Sequence, residues 1–212
     1  MTDLHTDLAA EGDWADAVVM AEVSRLVVDV ERFRDDADEE MAAKGMGAVY
    51  TRTSDGHPLR TLTPERREEL LRIYYDRHHQ RLHEAVSEAL KRASQCLIID
   101  VHSFPGIPLP YESDQNRDRP QICIGTDDYH TPPSIAEAAT AYFRERGFRV
   151  TQNRPFGGSI VPLAYYRRER MVQTVMVEFN RSLLCNEKTG ELRPDGAGIL
   201  KSISGLATYI LG

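Results

Sequence analysis

The chain has 212 residues, 41% hydrophobic and 28% charged, with a formal net charge of −7; this is the make-up of a soluble globular chain with one good core, and it excludes a disordered one. The negative balance argues against a nucleic-acid surface, which needs clustered Lys and Arg in excess. The three cysteines (Cys96, Cys123 and Cys185) lack CxxC spacing, no run approaches the roughly 18 apolar residues of a membrane helix, and the acidic start is unlike a signal sequence, so a reduced cytoplasmic protein without a membrane partner is expected.

Residues 2–11, read as a helix, place Asp3 and Asp7 on one face with His5 about half-way round. They are either a solvated acidic helix start or three metal-donor side chains within five residues. The run Leu26-Val27-Val28 is β-branched and reads as a strand, with Arg25, Asp29 and Arg32 at and beyond its ends. Such charges are surface groups, or an arginine fork for a substrate carboxylate. Residues 33–60 are polar and glycine-containing, too long for a turn, and read as a functional excursion over the active face. Thr63-Pro64-Glu65 starts a helix whose apolar spacing runs to about Ser94. On it, His79 and His83 are four apart, a metal grip or a pair of packing residues.

Cys96-Leu97-Ile98-Ile99 is an apolar strand that ends in Asp100-Val101-His102-Ser103, so Asp100 and His102 point the same way at a sheet edge. Ile122-Cys123-Ile124 is a second strand ending at Gly125-Thr126, and His130 reads as a turn residue. Ser134-Ile135-Ala136-Glu137 has the form of a capping box opening a helix that Gly147 closes, and 148–151 reads as a strand. Asn153 to Ser159 is a loop with paired glycines, Gly157 and Gly158. Residues 172–181 form a strand that delivers Glu178 into an apolar setting, costly unless the acid is used or paired, and 195–211 is a closing helix. Ser103 as a nucleophile is the weaker reading, since no GxSxG elbow surrounds it.

Alternating strands and helices imply a single α/β domain, three-layered α/β/α around a mixed, mostly parallel sheet. A histidine, carboxylates and an arginine pair at strand ends are the ingredients of a zinc hydrolase for an anionic substrate.

The ordered set Thr2-Asp3-Leu4-His5, Ser24-Arg25 through Asp29-Val30-Glu31-Arg32, Asp100-Val101-His102-Ser103, Gly125-Thr126, Asn153 with Phe156-Gly157-Gly158, and Val177-Glu178 resembles the N-formylglutamate amidohydrolases, relatives of the aspartoacylase and zinc carboxypeptidase group. The resemblance implies a phosphorylase/hydrolase-like sheet over residues 1–212 with one zinc per chain, held by His102 and Asp3. It makes Glu178 the general base, gives Arg25 the oxyanion or a carboxylate, and assigns substrate to Arg32, Asn153, Gly157 and Gly158. Asp100 and Ser103 would support the metal ligands from behind. The family reaction is hydrolysis of N-formyl-L-glutamate to formate and glutamate in histidine degradation, so the expected partner is a small anionic N-acyl amino acid, with room for a homo-oligomer. Members usually open with a Pro-His-Ser-Gly-like strand, and this chain is expected to lack it. His5 or a neighbouring chain would then complete the site, or zinc would bind weakly or not at all. Asp29-Val30-Glu31-Arg32 also departs from the usual Asp-Leu-Asn-Arg. The alternative reading is a non-catalytic anion- or amino-acid-binding homologue that has lost its metal site.

Overall fold

The computed structural model describes residues 2–212, and the chain forms two compact units. The first comprises Val19–Ala85 and Leu109–Gln115, with Thr2. The second comprises Asp3–Val18, Val86–Pro108 and Asn116–Gly212.

In the first unit the helix start is as expected. Thr63 is extended, and its hydroxyl accepts from the Arg66 amide at 3.2 Å ahead of a proline that needs no donor partner. Helix α1, Pro64–Leu70, passes through a π-turn, Leu71–Tyr75, into α2, Asp76–Ala93. Leu70, Leu71 and Tyr75 pack on Val28, Val30, Ala48 and Val49 to make this unit's core. The strand expected at Leu26-Val27-Val28 is not formed; Leu26 and Val27 lie in a turn and Val28 in irregular chain. Val28 is buried, yet the carbonyls of Leu26 and Val27 are taken by the Arg60 guanidinium, and the Asp29 amide donates to Ala48 O at 2.8 Å. Burial drew the β-branched residues inward, and a side chain replaced the strand partner. The 33–60 excursion consists mainly of turns around a short 3₁₀ helix, Glu40–Lys44, which the Glu39 carboxylate caps through the Met41 amide.

The second unit holds a mixed open sheet of four strands among the described residues: β1 Cys96–Phe104, β2 Ile122–Gly125, β3 Val150–Gln152 and β4 Val172–Asn180, in the order β1-β4-β2-β3. β1 and β4 are parallel, as are β2 and β3, while β2 runs antiparallel to β4. The fold class is therefore α/β, as the sequence implied. Two-residue alternation sends Leu97, Ile99, Val101, Ile122, Ile124, Val175, Val177 and Phe179 to one face. There they meet Ala139 and Phe143 of α3, Pro133–Glu145, and Leu200, Ile203 and Leu206 of α5, Gly196–Leu211. Each large side chain so buried is worth about 1.5–3 kcal/mol.

Three local expectations need correction. The first helix is a 3₁₀ turn, Thr6–Ala10; His5, left-handed at φ 65°, bars helix before it, so Asp3 and Asp7 share no helical face. α3 opens at Pro133 after Pro132 with no side-chain cap, because Ser134 already lies inside the first turn, where no box can form. The strand placed at 148–151 is Val150–Gln152, since Gly147, at φ 82°, and Phe148 are spent on closing α3. No helix among the described residues is long and apolar enough to cross a membrane.

Candidate active site

The register places one side chain from each strand in a row: His102 of β1 opposite Glu178 of β4, Glu178 opposite Cys123 of β2, and Cys123 opposite Thr151 of β3. Paired residues share a face, so the row lies on the side of the sheet away from α3 and α5. His102, Glu178 and Asp100 are all buried. Burial pushes the Cys123 thiol upward, and Glu178 adds to the shift, so this sulfur stays protonated and donates to Phe156 O at 3.1 Å.

That bond is one of several that lay the loop 153–160 along this face. The Ile160 amide donates to Asp100 Oδ2 at 3.2 Å, and Ser159 and Thr174 share a hydroxyl bond of 2.6 Å. A Cβ at Gly125 would lie 2.4 Å from Gly158 O, so the loop's close approach requires glycine there. Asn153, left-handed at φ 53°, accepts from the Thr126 amide at 2.9 Å and donates to its hydroxyl at 2.7 Å. The residue expected to bind substrate thus clamps the loop that carries Gly157 and Gly158.

His102 is held on both ring nitrogens. Nε2 lies 2.8 Å from Asp100 Oδ1, and Nδ1 lies 3.5 Å from Asp3 Oδ2, while Asp3 Oδ1 accepts from the Ser103 amide at 2.9 Å. The expected ligands His102 and Asp3 are therefore neighbours, and Asp100 is closer still. His5 is engaged elsewhere, its Nε2 bonded to Gly190 O at 2.7 Å. Ser103, one residue on from His102, points to the opposite face, where Arg181 holds its hydroxyl at 3.2 Å and its carbonyl at 2.9 Å.

Carboxylate oxygen and imidazole nitrogen are donors that zinc accepts. Asp100 Oδ1 and His102 Nε2 lie 2.8 Å apart, so one donor of each kind is presented side by side, and these two residues would hold the ion. Asp3 faces the other ring nitrogen, the place of a carboxylate that fixes the tautomer of a ligating histidine. The residues present fit the group in their chemistry, with Asp100 and Asp3 at opposite nitrogens of the His102 ring.

The expected arginines belong to the first unit. Asp29, fully buried, receives Arg25 Nη1 at 3.0 Å on Oδ1 and the Tyr50 hydroxyl at 2.5 Å on Oδ2. Arg32 is held more loosely, with Nε 3.5 Å from Asp29 Oδ2 and Nη1 3.6 Å from Glu39 Oε1. Its Nε is buried and makes no hydrogen bond among the described residues. Burial lowers the Arg32 pKa, but Asp29, then Tyr50 and Glu39, outweigh it, and the group stays charged. The Tyr50 phenol is pushed up by burial and by Asp29.

The sequence reading passed over Cys123, Tyr50 and Arg181. Cys123 had a signal, since it alternates with Ile122 and Ile124 and so must face the same way as Gly125. Tyr50 had none, because only the folded excursion brings it to Asp29.

The N-formylglutamate amidohydrolase family profile matches residues 1–185. An N-formylglutamate amidohydrolase from Ralstonia eutropha shares the fold with a TM-score of 0.73 and 23% identity over 88% of this chain and 72% of that one. A gene product of Agrobacterium tumefaciens does so with a TM-score of 0.61 and 21% identity over 87% of this chain and 68% of that one. No protein with a curated description matches the chain. With most of its length matched in sequence and its fold shared, the chain belongs to the N-formylglutamate amidohydrolase family.

Proposed function

We propose that the protein is a zinc-dependent amidohydrolase of N-acyl amino acids, with N-formyl-L-glutamate as substrate. The observation that carries the reading is the row in which buried Glu178 lies in register with His102, itself bonded to Asp100. Zinc bound by His102 and Asp100 would polarise the scissile carbonyl and acidify water. Glu178 takes the proton from the attacking water as its oxygen bonds to the formyl carbon, then delivers that proton to the amine as the C–N bond breaks. Formate and glutamate leave. Asp3 holds the His102 ring through Nδ1, and the loop with Gly157 and Gly158 lies over the reacting groups and limits water.

The test is metal analysis coupled to turnover. Protein purified without chelator is expected to hold one zinc per chain and to release formate from N-formyl-L-glutamate. Dipicolinate treatment should abolish release and added zinc should restore it. Thermal stabilisation by glutamate without formate release at any zinc level would instead establish the non-catalytic binding homologue.

A further inference from the structure

Residue 160 is held at both of its main-chain polar groups. The Ile160 amide donates to Asp100 Oδ2 at 3.2 Å, and its carbonyl accepts from the Thr174 hydroxyl at 3.2 Å. A carboxylate turns readily about its last torsion, so an aspartate whose Oδ1 meets His102 Nε2 at 2.8 Å holds that aim better when its other oxygen is anchored too. Ile160 supplies such an anchor, but it sits on a loop, and a loop keeps its place only where something rigid grips it. The rigid point is Thr174 of β4. The register pairs Asp100 with Met176 and Ile98 with Thr174, so Thr174 shares the face of Asp100 and lies one two-residue step, about 7 Å, back along the strand. Its main chain is fixed by the turn that follows β2: the Thr174 amide donates to His130 O at 3.0 Å, and its carbonyl accepts from the Thr131 hydroxyl at 2.7 Å. Thr174 is fully buried. Each hydroxyl has one proton to give. That of Thr174 goes to Ile160 O, so the 2.6 Å bond between Thr174 and Ser159 takes its proton from Ser159. Two successive residues of the loop are thereby tied to one strand side chain, and all of these groups belong to the second unit.

We propose that Thr174 and Ser159 are positioning residues that set the Asp100 carboxylate for the metal by fixing the Ile160 amide against its Oδ2. The proposal rests on the reading of Asp100 and His102 as the pair that holds zinc, and adds what aims Asp100. Neither hydroxyl need touch the ion. A partner behind a metal ligand keeps that ligand oriented, and losing it typically costs about 10- to 100-fold in metal affinity.

The experiment measures the zinc dissociation constant of the full chain, by competition with a chromophoric chelator, and amide hydrogen exchange across residues 157–162. It compares wild type with Thr174→Val, Thr174→Ser and Ser159→Ala. Thr174→Val keeps the shape and removes the hydroxyl, and is expected to weaken zinc about 10- to 100-fold and to speed exchange across 157–162. Ser159→Ala leaves the bond from Thr174 to Ile160 O in place and should weaken zinc about 3- to 10-fold, the loss of one hydrogen bond. Thr174→Ser gives up a methyl group but keeps the hydroxyl, and should hold zinc within about threefold of wild type, which a role in packing alone would not allow. Wild-type zinc affinity in folded Thr174→Val and Ser159→Ala would overturn the proposal, as would Thr174→Ser binding zinc as weakly as Thr174→Val. If Thr174→Val does not fold, Ser159→Ala decides alone. Wild-type protein that binds no zinc would refute the reading of Asp100 and His102 instead, and unchanged exchange in Thr174→Val would then still overturn the claim that its hydroxyl holds the loop on Asp100.

Discussion

At the scale of single residues, the account turns on what each carboxylate is attached to. Glu178 shares its strand register with His102 on one side and Cys123 on the other, so its carboxylate is placed by the two longest strands of the sheet and their neighbour. Glu178→Ala or His102→Ala should abolish the chemistry. Cys123, protonated and donating to Phe156 O, fixes the loop above the row. Cys123→Ser keeps a donor and should keep activity within a fewfold of wild type, whereas Cys123→Val should lower kcat as the loop loosens.

At the scale of elements, the loop 153–160 and the strand beneath it form one piece. Gly125→Ala sets a methyl group against Gly158 O, where backbone must yield. It should lower Tm by several degrees and reduce kcat more than Thr63→Ala, which removes only the cap of α1 and costs about 1 kcal/mol. Thermal melts and kinetics on the two variants separate these effects. The sheet was legible because β1, β2 and β4 announce themselves by apolar runs ending in polar groups, and the candidate ligand His102 followed from its place at such an end. The stretch from Leu26 to Val30 misled, because a β-branched run says that side chains are buried but not that the backbone finds a strand partner. Here the Arg60 guanidinium took the carbonyls. The π-turn had no signal at all, since one extra residue within an otherwise periodic helix leaves the apolar spacing almost intact. That Asp100 and Asp3 meet different nitrogens of the His102 ring was equally hidden, because sequence spacing says which side chains share a face, not which ring nitrogen each one meets.

At the scale of the whole molecule, stability should depend on pH through the first unit's half-buried imidazoles. Burial lowers the pKa of both His78 and His79 below the ordinary 6.5. The unfolded chain therefore takes up protons first as pH falls, and the folded state loses stability from about pH 6.5 downward, while above that value these groups contribute no pH dependence. Melts between pH 5 and 8 should show Tm falling on the acid side, and the fall should shrink when His78 and His79 are both replaced by Gln. The central claim, that this chain cleaves an N-formyl amide with Glu178 moving the proton, is tested most directly by measuring formate and glutamate released from N-formyl-L-glutamate by the wild-type protein and by Glu178→Gln. The account predicts equal amounts of both products from wild type and a kcat lowered about 10²- to 10⁴-fold in a folded, zinc-holding Glu178→Gln. Undiminished turnover in Glu178→Gln, or no formate from zinc-loaded wild type, would contradict it.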